Sequence, residues 1–363
     1  PAQGSSPEDY FNTVLYTGDS ATSSAGTVAR TITGVGFQPD LIWVKSRNNG
    51  GTWSDHSLTD SVRGNNLSLS SNTTGATINV ATDFGNGGIG GPAADGFTIV
   101  SGSAGSTANL NSSGDTYVAW NWKANGSGVS NTDGSITSTV SANTTSGFSI
   151  VSYTGTNSAT ETIGHGLNQA PDMIIVKSRD SADFWPVYHK DTNTDGGENY
   201  LMRLNTTDAR LNSNVYWNDT APTSTVFTVG TSSALNNTDD FIAYCFHSVD
   251  GFSKLGSYTG NGSTDGPFVY TGFRPAFVMV KRTDGGTNNW VIYDKERDPY
   301  NYVDSRLFPN TSGSESGGGA SYSYDFLSNG FKVRSIGSEH NLDGGTYIYM
   351  AFAENPFKYS NAR

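Results

Sequence analysis

Pro39–Arg47 reads PDLIWVKSR, Pro171–Arg179 reads PDMIIVKSR, and Pro275–Arg282 reads PAFVMVKR. A proline, an unbroken apolar run and a basic close are the marks of a buried strand. Proline is tolerated at a strand's first residue, and a continuous apolar run suits a strand covered on both faces. Three such segments in one chain ask what repeats around them.

The same landmarks flank each copy in the same order. Tyr-Thr-Gly precedes it at Tyr16–Gly18, Tyr153–Gly155 and Tyr258–Gly260. A tryptophan follows: Trp53, Trp185 and Trp290. Next comes a Leu/Asn/Thr segment opening at Leu67, Tyr200 and Arg306, then a Phe-bearing strand at Gly96, Val226 and Gly330. Each set ends on an aromatic strand, TYVAWNW to Trp122, DFIAYCF to Phe246 and TYIYMAF to Phe352. A period of about 100 residues is too long for a solenoid and right for whole domains.

The expected fold is therefore all-β, three tandem β-sandwich domains (jelly-roll or lectin-like) from an internal triplication. The expected boundaries are an N-terminal segment 1–10, repeats at 11–124, 148–248 and 252–357, and a linker or extended hairpin at 125–147. The closing strand, apolar on both faces, belongs at the centre of its sheet, with Trp120, Tyr244 and Met350 at equivalent depths. Asn121, Cys245 and Ala351 share the next position, which makes Cys245 a packed thiol. The Lys and Arg that end each PDxxxVKSR strand are expected in solvent.

Composition agrees. Of 363 residues, 34% are hydrophobic and 15% charged, with 44 Gly but only 12 Pro, a pattern of short strands and tight turns. Aromatics at 12% exclude a disordered chain. A net charge of −12 repels phosphate backbones and anionic lipid, so nucleic acid is not an expected partner. No apolar run is long enough to insert in a membrane as a helix. The opening Pro in place of Met is expected of a processed or truncated chain, and the single cysteine allows no intrachain disulfide.

With these residues in view, the chain resembles a repeat domain of marine tailed-phage virion surface proteins, of the tail-fibre and appendage type. The likeness rests on YTG, GFxPDLIWVKSR, LSSNTT, DGFTI and GDTYVAW, and covers all but the first ten residues and the linker. It implies a virion-surface or extracellular structural protein, such as a fibre, appendage or capsid decoration subunit. It also implies contacts with other virion proteins and with a host-surface glycan or protein, and a homo-oligomeric state by analogy with fibres. The competing classes are a cellular adhesin or carbohydrate-binding array, a purely structural filament or sheath subunit, and a depolymerase.

The residues carry little that an enzyme needs. No GxSxG elbow is present, and Glu161, Glu198, Glu296 and Glu339 recur at no equivalent position, so a facing carboxylate pair is not indicated. No enzymatic activity is expected. His56 and His189 stand at similar places after the tryptophan, with Asp294 near there in the third copy, and read as histidines of surface loops. Trp53, Trp185 and Trp290 are either ligand-binding faces for sugar rings or plugs of their own cores. Asp191, Asn193 and Asp195 of DTNTDGG match the first half of a calcium loop, against the alternative of a plain Asp/Asn/Gly turn. Ca²⁺ is the one cofactor the sequence suggests.

Overall fold

Leu41–Ser46, Met173–Ser178 and Pro275–Arg282 are strands, each paired antiparallel on both sides. They occur in a computed structural model that describes residues 6–50, 54–317 and 319–354. In the first unit the main sheet runs Phe11–Thr17, Thr116–Trp122, Leu41–Ser46, Ser57–Asp60. The third unit repeats that order with Ser253–Thr259, Thr346–Ala353, Pro275–Arg282 and Val291–Asp294. The second does so with Phe148–Thr154, Asp240–Phe246, Met173–Ser178 and Pro186–His189, extended at both edges. One extension is the hairpin Val129–Asn131 and Ser138–Asn143, so the segment between the first two units is sheet and not a free tether.

Each main sheet packs against a smaller one, giving an all-β sandwich architecture. The small sheets are Val28–Thr33, Gly96–Val100 and Gly88–Ala93; Glu161–Gly164 and Val226–Val229; and Phe268–Tyr270, Gly330–Val333 and Tyr324–Leu327.

The closing strands show what both faces cover. Successive strand side chains point to opposite faces. Tyr117 and Ala119, Phe241, Ala243 and Cys245, and Tyr347, Tyr349 and Ala351 fill three local cores under the small sheets. The alternate residues Val118, Trp120 and Trp122, Ile242, Tyr244 and Phe246, and Ile348, Met350 and Phe352 all enter one common core. Trp122, Phe246 and Phe352 meet there as a triangle of rings, with centroids 6.4, 6.2 and 5.8 Å apart. The three sandwiches are therefore fused by their backs and are not separate beads.

The seams between units close in a ring. Glu315 N donates to Arg47 O, Thr77 N to Arg179 O, and Arg210 N to Thr283 O, so first meets third, second meets first and third meets second. Polar contacts from the central core follow the same sense: Trp120 Nε1 donates to Asp294 at 3.0 Å and the Tyr244 hydroxyl to Asp60 at 2.8 Å.

The Tyr-Thr-Gly signature has a local cause. Tyr16, Tyr153 and Tyr258 stack on Tyr117, Phe241 and Tyr347 at 4.9, 5.1 and 4.9 Å, and their hydroxyls donate to the carbonyls of Leu110, Leu235 and His340. The next residue in each case, Asn111, Asn236 or Asn341, is buried and its Oδ1 accepts the amide N–H just after the glycine, from Asp19, Thr156 and Asn261. The glycine lets this clamp close. A Cβ on Gly155 would stand 2.0 Å from the Asn237 carbonyl oxygen. Gly155→Ala is expected to lower stability by about 3 kcal/mol, read as the urea midpoint.

One expectation fails at the strand ends. Lys45, Lys177 and Lys281 are 0%, 0% and 1% exposed, because they share the core-facing side with Trp43, Ile175 and Met279. Their ammonium groups donate to backbone carbonyls, Lys45 to Ser46, Lys177 to Ser178 and Ser181, and Lys281 to Thr207 and Asn288. Burial lowers each to about 8. Carbonyls turned inward at a strand's end supply what water was expected to supply.

Candidate functional site

Trp185 and Trp290 enter the fourth strands Pro186–His189 and Val291–Asp294, and are 0% and 1% exposed. Trp185 Nε1 donates to Thr73 O at 3.1 Å and Trp290 Nε1 to Arg203 O at 2.8 Å, each across a seam to another unit. With no ring face in solvent, these two indoles plug the common core and do not present a surface to a sugar. Trp53 lies outside the described residues.

Strand register supplies the equivalent of those tryptophans in the first unit. Trp43, Ile175 and Met279 pair with Leu58, Val187 and Ile292, so the position two residues earlier is His56, Trp185 and Trp290. His56 Nδ1 accepts the Trp43 indole N–H at 2.8 Å, and Nε2 lies 3.0 Å from the Phe308 carbonyl, the same kind of seam contact. The register also sets Asp60, and not His56, in the place of His189 and Asp294. The loop is longer in the first unit: Lys45 to His56 is 11 residues, against 8 from Lys177 to Trp185 and 9 from Lys281 to Trp290.

The histidines are not surface groups. His56, His165, His189 and His340 are 0% exposed and His247 is 5% exposed. Burial depresses His56 well below its ordinary value, His165 and His189 to about 4, and His340 to about 3.

Two buried ion pairs complete the seams. Asp60 accepts Arg63 Nε at 2.5 Å and Asp294 accepts Arg297 Nε at 2.6 Å, with all four side chains fully buried. Arg63 also donates to Leu58 O and Arg297 to Ile292 O, so each guanidinium ties strand to turn. Every strong donor and acceptor in these pairs is already engaged, which is the pattern of a structural lock. The glutamates are dispersed: Glu161 accepts from Ser135 and Thr156, Glu339 pairs with Arg306, and Glu296 lies 3.6 Å from Lys295. Cys245 is buried, and burial pushes its thiol up, away from nucleophilic use.

Asp191, Asn193 and Asp195 lie in the loop between Pro186–His189 and Tyr200–Arg203. Asp191 and Asn193, with Lys190 and Thr192, line a cleft of about 430 Å³ whose far wall is Ser257, Thr259 and Thr346 of the third unit. The Asp195 carboxylate accepts from the Asn193 amide and from the Tyr200 hydroxyl at 3.3 Å, while the Asp191 amide N–H donates to His189 Nδ1. Among the described residues no group of three or more His, Cys, Asp or Glu is placed to hold a metal ion. The loop closes on itself through its own polar groups.

The aromatic side chains that do reach solvent were not singled out by sequence. Among the described residues the most exposed belong to the third unit: Phe268 and Tyr270 on an edge strand, and Tyr300 and Tyr302 in the loop after Val291–Asp294. An exposed aromatic within an alternating strand was the available signal, since Phe268 and Tyr270 flank the buried Val269.

The class so defined is an all-β sandwich protein in which three main sheets share one core. A family model described as a domain of unknown function (DUF7483) matches residues 6–356, and the chain belongs to that family. Neither curated proteins nor solved structures gave a match.

Proposed function

We propose that this chain is a structural and attachment module of a bacteriophage virion exterior, a tail fibre, appendage or capsid decoration, that meets a host-surface glycan or protein. The observation that carries the reading is the common core. Three sandwiches locked back to back form a stiff body, and the loops that follow Thr17, Thr154 and Thr259 leave it at the same end of the equivalent strands. A stiff body with several displayed loops suits surface recognition, because loops held in place lose little freedom on binding. The resemblance of the repeat to virion surface proteins supports the same placement. The reading assigns the chain no catalytic step.

An antibody against the whole chain tests the placement on density-purified particles imaged by electron microscopy. Gold label on the exterior of intact particles is the expected result. Label on cell surfaces with none on particles would favour a cellular adhesin and overturn the proposal.

A further inference from the structure

The outer face of the third unit's small sheet carries aromatics that the fold does not require. Val269, Ile32 and Ile163 are equivalent, since they pair with Phe331, Phe97 and Phe227 on the neighbouring strand. The flanking positions are Phe268 and Tyr270 in the third unit, but Thr31 and Thr33 in the first, and Thr162 and Gly164 in the second, where Asn131 covers Gly164. Two units thus build the same strand pair without an exposed ring. Phe268 and Tyr270 are nonetheless 44% and 63% exposed, at a cost in hydration that nothing in this sheet recovers.

A glycine lies beside each ring. A Cβ on Gly330 would lie 3.0 Å from Cε2 and Cζ of Phe268, and one on Gly272 would lie 3.6–3.9 Å from the Tyr270 ring and hydroxyl. The Phe268 ring therefore packs closely over the Gly330 backbone, and no side chain at Gly272 stands beside the Tyr270 ring. Beyond the neighbouring strands Gly330–Val333 and Tyr324–Leu327, the Asn301 side chain bonds Phe326 through both amide atoms, and Val303 pairs with Tyr324. That lays Tyr302, 50% exposed, along the far edge of the same sheet. With strands about 4.8 Å apart, the two aromatic edges stand roughly 14 Å apart.

Between them the row opposite Phe268 is Lys332 and then Asp325. Lys332 pairs with Asp265 at 2.6 Å and Arg334 with Asp325 at 2.6 Å, so two cations face two anions and the surface carries no net charge. Charge complementarity then favours a neutral ligand over a polyanion or polycation. Exposed rings at both edges suit the apolar C–H faces of sugar rings, and paired charged groups between them suit hydroxyls.

We propose that this face binds a neutral polysaccharide chain across Phe268, Tyr270 and Tyr302. The inference rests on the attachment reading for its biological sense, but the binding belongs to the isolated chain. Affinity electrophoresis of the whole chain in native gels containing dextran, soluble starch, hydroxyethyl cellulose, galactomannan or alginate tests it. Retardation by at least one neutral polymer is expected. The variant Phe268→Thr/Tyr270→Thr, which installs the pair found at Thr31 and Thr33, is expected to bind about ten-fold or more weakly with an unchanged melting temperature. Free mobility in every gel, retardation by alginate alone, or retardation undiminished in the variant would overturn the proposal. So would a wild-type dimer that the variant converts to monomer, which would make the face a contact with a second copy. Any of these leaves the particle-labelling result untouched, so the two readings fail separately.

Discussion

The fragment 148–248, expressed alone, is expected not to fold. Its inward residues include Ile150, Met173, Ile175, Trp185, Val187, Met202, Leu204, Ile242, Tyr244 and Phe246, all members of the core it shares with the other units. Exposing a large apolar side chain costs about 1.5–3 kcal/mol, so ten of them forfeit on the order of 20 kcal/mol. That exceeds the roughly 5–15 kcal/mol by which an ordinary domain is stable. The whole chain should then melt in a single transition, with calorimetric and van't Hoff enthalpies equal. A fragment with dispersed amide NMR signals, or three separate heat-capacity peaks, would show that the common core is not what holds the units. Within that core, Asp60→Ala strands the fully buried Arg63 beside Tyr244, and a loss of about 3–5 kcal/mol is expected.

A second large effect is expected on acidification. His56, His165, His189 and His340 are neutral in the folded chain because burial holds them far below the ordinary 6.5. Unfolding returns each to that value, so below pH 6.5 the unfolded chain binds more protons than the folded one. Their contribution is complete above pH 6.5 and is lost as pH falls toward about 4, by about 1.4 kcal/mol per pH unit for each histidine. At pH 4.5 four such groups forfeit roughly 10 kcal/mol, comparable to the whole stability of a domain. Asp40 and Asp191, raised by burial, act in the opposite sense but are two against four. Urea midpoints followed by tryptophan fluorescence at pH 7.5, 6.0 and 5.0 should fall steadily. A midpoint that does not move across this range would mean that the histidines titrate freely in the folded state.

Much of the fold was legible because strand patterns are local. The apolar run after Pro39, Pro171 and Pro275 reads correctly as a core strand, and the two-faced closing strand reads correctly as central. What covers the second face was not legible. Trp120 meets Asp294, 174 positions away, and no local pattern encodes that pairing. The lysines misled for a related reason. A Lys at a strand's end looks solvated until the carbonyls that receive it are placed, and Thr207 comes to Lys281 from another unit. The candidate site suffered from counting along the chain. An offset from the lysine picks Trp53, but a loop two to three residues longer puts His56 where Trp185 and Trp290 stand. Burial of those indoles was the alternative that composition could not decide, since a tryptophan beside polar residues looks the same in a core seam and on a surface. The Phe268 and Tyr270 face escaped notice because it does not recur.

That non-recurrence follows from how the ring is closed. Three separate copies around a rotation axis must carry every substitution three times, so a pair of exposed rings would appear on all faces or none. Here the three units are spelled out by one continuous chain, and each position is specified on its own. The first and second units keep Thr and Gly where the third carries its rings, while the seams they share with it stay complete. Covalent continuity lets one side differ from the other two, a difference that exact symmetry forbids.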